Sequence, residues 1–242
     1  MASKPPPTSQ HGRLAQETRE GFVADASRAM TEISSAVQER LSILVSEAAP
    51  SREMQGRRDA WTFYQRAKTG WRDETVRSWQ KALKPPAAPV TTDFQDLDSL
   101  QLVGTEVVEN KILASRLVLR VMDKVSAELD DLRLRIRYLE GSEELGRHDI
   151  FRPEVLVLLM VEQWAAAGMP SGSWPLVNDV VQALVAQRLK QAYNKSNEFL
   201  IGHGVMPTIE LKDRVRRATT QGGGARSLSD VIHNLKWNAR NV

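Results

Sequence analysis

Four histidines, His11, His148, His203 and His233, are the chain's natural acid–base groups near neutral pH. No two of them stand at helix spacing, so the chain carries no His-x-x-x-His metal site. His148 precedes Asp149, a pair able to pass a proton, although in a polar loop it reads more simply as solvated. His203 lies between Gly202 and Gly204 at the end of an apolar-striped segment, where a cation complements the negative end of a helix dipole. Cysteine is absent, which removes thiol nucleophiles, disulfides and Cys-based zinc sites. Among the hydroxyls there is no Gly-x-Ser-x-Gly elbow. Gly222-Gly223-Gly224-Ala225-Arg226-Ser227 lacks the Lys-Ser/Thr ending of a phosphate loop and the strand that precedes one, and reads as linker. Asp93, Asp96 and Asp98 lack the glycine and closing glutamate of a calcium loop. The residues therefore point to no catalytic side chain, no metal and no cofactor. An enzyme would need a pocket built around His148 or His203 from residues distant in the chain.

Binding chemistry is more visible. Lys and Arg outnumber Asp and Glu by 14 to 10 over residues 1–90 and by 7 to 3 over residues 207–242, whereas residues 91–206 carry 12 against 17. Both ends are basic and the centre is acidic. Basic ends meet acidic protein, nucleic acid or anionic lipid, or simply face water. Near the C-terminus Leu228, Val231, Ile232, Leu235 and Trp237 recur at helical spacing among basic residues, beyond the three glycines. A short apolar face of this kind cannot bury itself alone; it docks on a partner groove or folds back on its own chain. Arg214, Arg216 and Arg217 would steer the encounter. These eight residues are the expected partner-binding set. The partner expected is another protein. Nucleic acid held non-specifically by the basic ends is the alternative, and a homo-oligomer is open.

The elements that position these residues follow from periodicity. Residues 1–12, with Pro5-Pro6-Pro7, are expected to be disordered. From Arg13 to Ala49 apolar residues from Phe22 to Leu44 recur at steps of three and four, one helix face. Pro50 breaks it, and Ser51 is expected to cap a second helix running to about Leu83. Trp61, Tyr64, Trp71 and Trp79 share its inner face, reading as core rather than as a platform for bases. Residues 84–98 form a proline-rich, then acidic, linker. A third helix is expected from near Leu100 to Leu139, stopped by Gly141 and weakened early by Gly104 and Asn110. Residues 142–150 read as a polar loop.

Pro153 and Glu154 then open a helix with seven apolar residues, Val155 to Val161, closed by Gly168. The next helix, capped by Ser173, carries a seam from Val177 to Phe199 and stops at Gly202. These last two are expected to pair as a hairpin holding most of the core. The whole is expected to be all-α, an elongated helical bundle of about five main helices with a flexible C-terminal tail. It divides into an N-terminal hairpin (13–83), a helical core (99–207) and a basic tail (208–242). The longest apolar run, seven residues, falls far short of the ~20 of a membrane span. With no N-terminal apolar leader, a cytoplasmic protein is expected.

Two stretches carry a resemblance. Arg152-Pro153-Glu154-Val155-Leu156, together with Ala192-Tyr193-Asn194-Lys195-Ser196-Asn197 and the close on Gly202-His203-Gly204-Val205-Met206-Pro207, resembles the proteobacterial family called domain of unknown function 1631. The segments Gly56 to Leu83 and Leu97 to Leu139 are similar to that family's early charged helix and long middle helix. The resemblance spans roughly residues 30–210 and rests on packing signatures. It implies a helical scaffold of uncharacterised role, as a short member or the N-terminal part of a longer one, and no established activity.

Overall fold

The computed structural model describes residues 9–84 and 105–209. Among them are five α-helices and no strand: α1 (Ser9–Ser46), α2 (Ser51–Ala82), α3 (Thr105–Glu140), α4 (Pro153–Ala166) and α5 (Trp174–Gly202). The all-α expectation holds. Helix α1 begins at Ser9, inside the span expected to be disordered. Of the linker expected at 84–98 and the tail expected at 208–242, residues 85–98 and 210–242 lie outside the described residues.

Helix α1 buries Phe22, Met30, Ile33, Val37 and Leu41 on the face that the three-and-four spacing marks. The α2 stripe is core as expected, with Tyr64, Trp71, Thr75 and Trp79 all buried and Trp61 half-buried. The boundary between the two differs in detail. Pro50 itself takes the extended flanking conformation and its carbonyl accepts from Met54 N–H at 2.9 Å. Ser51 therefore falls inside the first turn and caps nothing.

The hairpin expected of the last two helices is not formed. Helix α4 packs on α2 and α3, and α5 packs on α1 and α3. The two meet where Trp164 stands edge-on to Trp174, with ring centroids 5.2 Å apart. Chain adjacency suggested a pair, but α4 is apolar on most sides and so did not itself specify which neighbour would cover it. Its α2 contact is fastened by tryptophan. The Trp71 indole N–H donates to the Met160 carbonyl at 3.1 Å, and that of Trp79 to the Leu156 carbonyl at 3.0 Å. Both carbonyls belong to the α4 ladder, so the indoles share acceptors already in use.

Helix ends explain other departures. Gly141 (φ 64°) closes α3 and Gly168 (φ 78°) closes α4, both as expected. The Ser173 hydroxyl does not cap α5; it donates to the Pro170 carbonyl at 2.6 Å, within a short 3-10 turn, Ser171–Ser173. Helix α5 is stopped by Gly204 (φ 75°) rather than Gly202. Gly204 N–H reaches the Ile201 carbonyl and Val205 N–H the Leu200 carbonyl, both at 2.9 Å, while Val205 and Leu200 are both buried. This is the Schellman arrangement with its hydrophobic contact. The seam ends on Leu200, so Phe199, expected inside, is partly exposed against His203.

Candidate functional site

The α3–α4 loop, expected to be merely polar, is pinned from below. Leu145, Ile150 and Phe151 are buried, and Phe151 meets Phe22 edge-on. Tyr193 stacks on Phe22 at 5.0 Å and donates its hydroxyl to the Phe151 carbonyl at 2.8 Å. Burial pushes that phenol well above its usual range, so it stays a donor. Asp149 points inward. Its Oδ2 accepts from Arg19 Nη2 at 2.5 Å and Nε at 3.2 Å, and its Oδ1 accepts from Phe151 N–H at 2.9 Å. Arg19 Nη1 donates to Glu140 at 2.6 Å. Burial pulls the Arg19 guanidinium down, but hydrogen bonds to Asp149 and Glu140 outweigh it and hold it above its ordinary value.

Both histidine candidates lie at the surface. His148 is exposed while the neighbouring carboxylate is engaged by α1, so the pair is not joined as a proton relay. His203 is exposed at the end of α5, its Nδ1 2.8 Å from the Phe199 carbonyl, which fits a helix-end role. A second buried tie joins α3 to α5. Arg135 Nη1 donates to Asn197 Oδ1 at 2.7 Å, and Asn197 Nδ2 donates to the Glu128 carbonyl at 2.9 Å. Burial pulls the Arg135 guanidinium below its ordinary value, partly offset by Asp131.

Two surface features remain. The first is an open cleft of about 500 Å³ between α1 and α2. Helix α1 lines it with Ser27, Arg28 and Thr31, and α2 with Arg72, Asp73, Val76 and Arg77. Each arginine pairs with a carboxylate on its own helix: Arg28 with Asp25, Arg72 with Asp73 at 2.8 Å, and Arg77 with Glu74 at 2.5 Å. The hydrogen bond and charge of Asp73 hold the Arg72 guanidinium above its ordinary value. The Ser27 hydroxyl oxygen is buried with no hydrogen-bond partner among the described residues. No motif marks this cleft in the sequence, because its arginines come together only when α1 and α2 pair.

The second feature is the outer face of α3. Leu119, 68% exposed, is the most exposed large apolar side chain among the described residues, and Ile112 is 47% exposed. Seven residues apart on one helix, they lie on the same face. The eight residues expected to bind a partner, Arg214, Arg216, Arg217, Leu228, Val231, Ile232, Leu235 and Trp237, lie outside the described residues. Among the described residues no group of three His, Asp or Glu gathers to hold a metal, and no helix is long and apolar enough to cross a membrane.

Fold and surface together define an all-α bundle with a basic interhelical cleft and an apolar outer stripe. The chain belongs to the family described as Protein of unknown function (DUF1631) N-terminal domain, whose model matches residues 10–204. The match ends on Gly204, the residue that stops α5, so it takes in all but the first residue of the five-helix unit. No curated protein and no solved structure matches the chain.

Proposed function

We propose that the chain is a non-enzymatic helical interaction module, cytoplasmic, that presents the outer face of α3 to another protein. The observation that carries this reading is the pair Ile112 and Leu119, two large apolar side chains left in water one above the other on a 36-residue helix. Exposed apolar residues at seven-residue spacing are how a helix offers anchors to a facing groove or helix. Burying a leucine side chain is worth about 1.5–3 kcal/mol, so two such anchors supply a useful part of a binding energy. The basic segment with Arg214, Arg216 and Arg217 and the apolar set Leu228, Val231, Ile232, Leu235 and Trp237 belong to the same reading as a second contact element, supported by spacing and charge. The lack of cysteine is consistent with a reducing compartment.

The test is a photo-crosslinking residue placed at Leu119 in the full chain, in native cell extract. The expected result is a discrete adduct that Ile112→Glu abolishes and that deletion of residues 221–242 weakens, with helicity by circular dichroism unchanged. The same crosslinker at the exposed Arg66 of α2 should give no such adduct. Identical adducts from both positions, or none at Leu119, overturn the proposal.

A further inference from the structure

We propose that the cleft between α1 and α2 is a binding site for a small phosphorylated molecule, with the phosphoryl oxyanion held by Arg28, Arg72 and Arg77. This goes beyond the interaction role and stands independently of it. Three guanidinium groups face one cleft from two helices, and each is engaged by one carboxylate through one nitrogen. A guanidinium carries five N–H donors, so most of the donors here are uncommitted. Arg72 donates to Asp73 through Nε, which leaves both of its terminal nitrogens, the pair that forks onto an oxyanion, without a partner among the described residues. Lys195 also reaches Asp25, at 3.2 Å, sharing the carboxylate that Arg28 uses. Within the lining itself three arginines stand against one carboxylate, Asp73, while Asp25 and Glu74 pair with Arg28 and Arg77 from outside it.

Ser27 supplies an independent pointer. Ser27 lines the cleft, and its hydroxyl oxygen, shielded from solvent, has no hydrogen-bond partner among the described residues. Native structures seldom leave such a group unsatisfied, and a turn about χ1 would bring the hydroxyl to an oxyanion in the cleft.

The shape of the donor set selects the ligand class. Donors lie on both walls, Ser27 and Arg28 on α1 and Arg72 and Arg77 on α2. A tetrahedral phosphoryl group has three acceptor oxygens to spread between two walls and carries nearly two negative charges at neutral pH. A planar carboxylate has two oxygens and one charge, and suits a single guanidinium fork. The cleft, about 500 Å³ and open to solvent, has room for more than a bare phosphate. Val76 and the methylene stems of the three arginines make most of the lining apolar, so the cleft does not restrict the ligand to a polar body.

The test uses the full chain and pyrophosphate as probe, followed by amide proton–nitrogen correlation spectra at constant ionic strength. The expected result is saturable shifts confined to residues 27–31 and 72–77. Arg72→Gln should weaken half-saturation about tenfold or more, and Ser27→Ala should weaken it to a smaller degree. Arg66→Gln, on α2 but off the cleft, should leave it unchanged. Circular dichroism on each variant separates a lost site from a lost fold, and Arg28→Gln replaces Arg72→Gln if the latter unfolds. Acetate is the second arm. Equal saturable binding of acetate would make this a general carboxylate-and-phosphate site and overturn the phosphoryl assignment. Shifts that are linear in concentration, scattered over surface lysines and arginines, or unaltered in Arg72→Gln overturn the site altogether.

Discussion

Replacing Asp149 by Asn should destabilise the bundle by about 2–3 kcal/mol, because an amide cannot serve both sides of the carboxylate. Asp149 accepts Arg19 through one oxygen and Phe151 N–H through the other, and its side chain is only 5% exposed. An asparagine placed with its oxygen toward Arg19 sets its NH2 against the Phe151 N–H. Flipped, it sets two donors against the guanidinium. Either way one buried donor loses its partner, which costs ~1–3 kcal/mol, and a charge-assisted bond becomes a neutral one. Breaking a fully buried pair costs ~3–5 kcal/mol; the value here falls below that range because Arg19 keeps Glu140 and lies over the Phe151 ring at 5.4 Å. Against a typical total stability of ~5–15 kcal/mol the loss is large and shows as a lower urea midpoint with an unchanged slope.

The decisive form is a double-mutant cycle with Arg19→Met, read by circular dichroism and tryptophan fluorescence in urea at pH 7. The double variant should cost about 2 kcal/mol less than the sum of the singles, since residues in one buried network couple by ~0.5–3 kcal/mol. The coupling should persist at high salt, where the more exposed Arg188–Glu32 pair loses its contribution. Additivity within about 0.5 kcal/mol would refute the reasoning and make Arg19 and Asp149 neighbours without mutual energy.

Two further outcomes follow from single residues. Gly204→Ala should cost about 1 kcal/mol, because its φ of 75° strains any residue with a Cβ although nothing obstructs the added atom. Gly202→Ala, in helix and open space, should instead stabilise by ~0.4–1 kcal/mol; equal effects in urea unfolding would contradict the placement of the stop on Gly204. Glu162 is half-buried on α4, and burial raises its pKa against the smaller lowering by Lys111. A carboxyl that binds its proton more tightly when folded contributes fully below its unfolded pKa, and that contribution is lost as pH rises through the folded value. Glu162→Gln should therefore raise Tm at pH 7, and the gain should vanish as pH drops below the carboxylate range; a gain that grows on acidification would reverse the sign.

The sequence made the elements legible where local chemistry decides them. Pro153 set the start of α4, Gly141 the end of α3, and the Phe22-to-Leu44 spacing the buried face of α1. It misled where a choice depends on what another element already occupies. Ser51 and Ser173 look like caps, but Pro50 takes one flanking position and the Pro170 carbonyl takes the other hydroxyl. Helix α4 looked like the mate of α5 because its apolar surface names no partner; the Trp71 and Trp79 indoles, far back in the chain, are what claim it. Phe199 and Leu200 differ by one step around the helix, and only the Leu200–Val205 contact decides which is inside. The arginine cleft was invisible for a related reason. Arg28, Arg72 and Arg77 are ordinary surface residues until two helices lie side by side.

The union of the first and last described helices bears on how the chain is made. Phe22 waits for Tyr193, Asp25 for Lys195 and Glu32 for Arg188, the latter two pairs spanning 170 and 156 positions. At ~5–20 residues per second a ribosome needs about 10–30 s to deliver them. During that interval α2 can cover only one side of the α1 seam. The side meant for α5 stays bare on the nascent chain, a window for holdase chaperones and for wrong pairing that closes only when residues near 200 emerge.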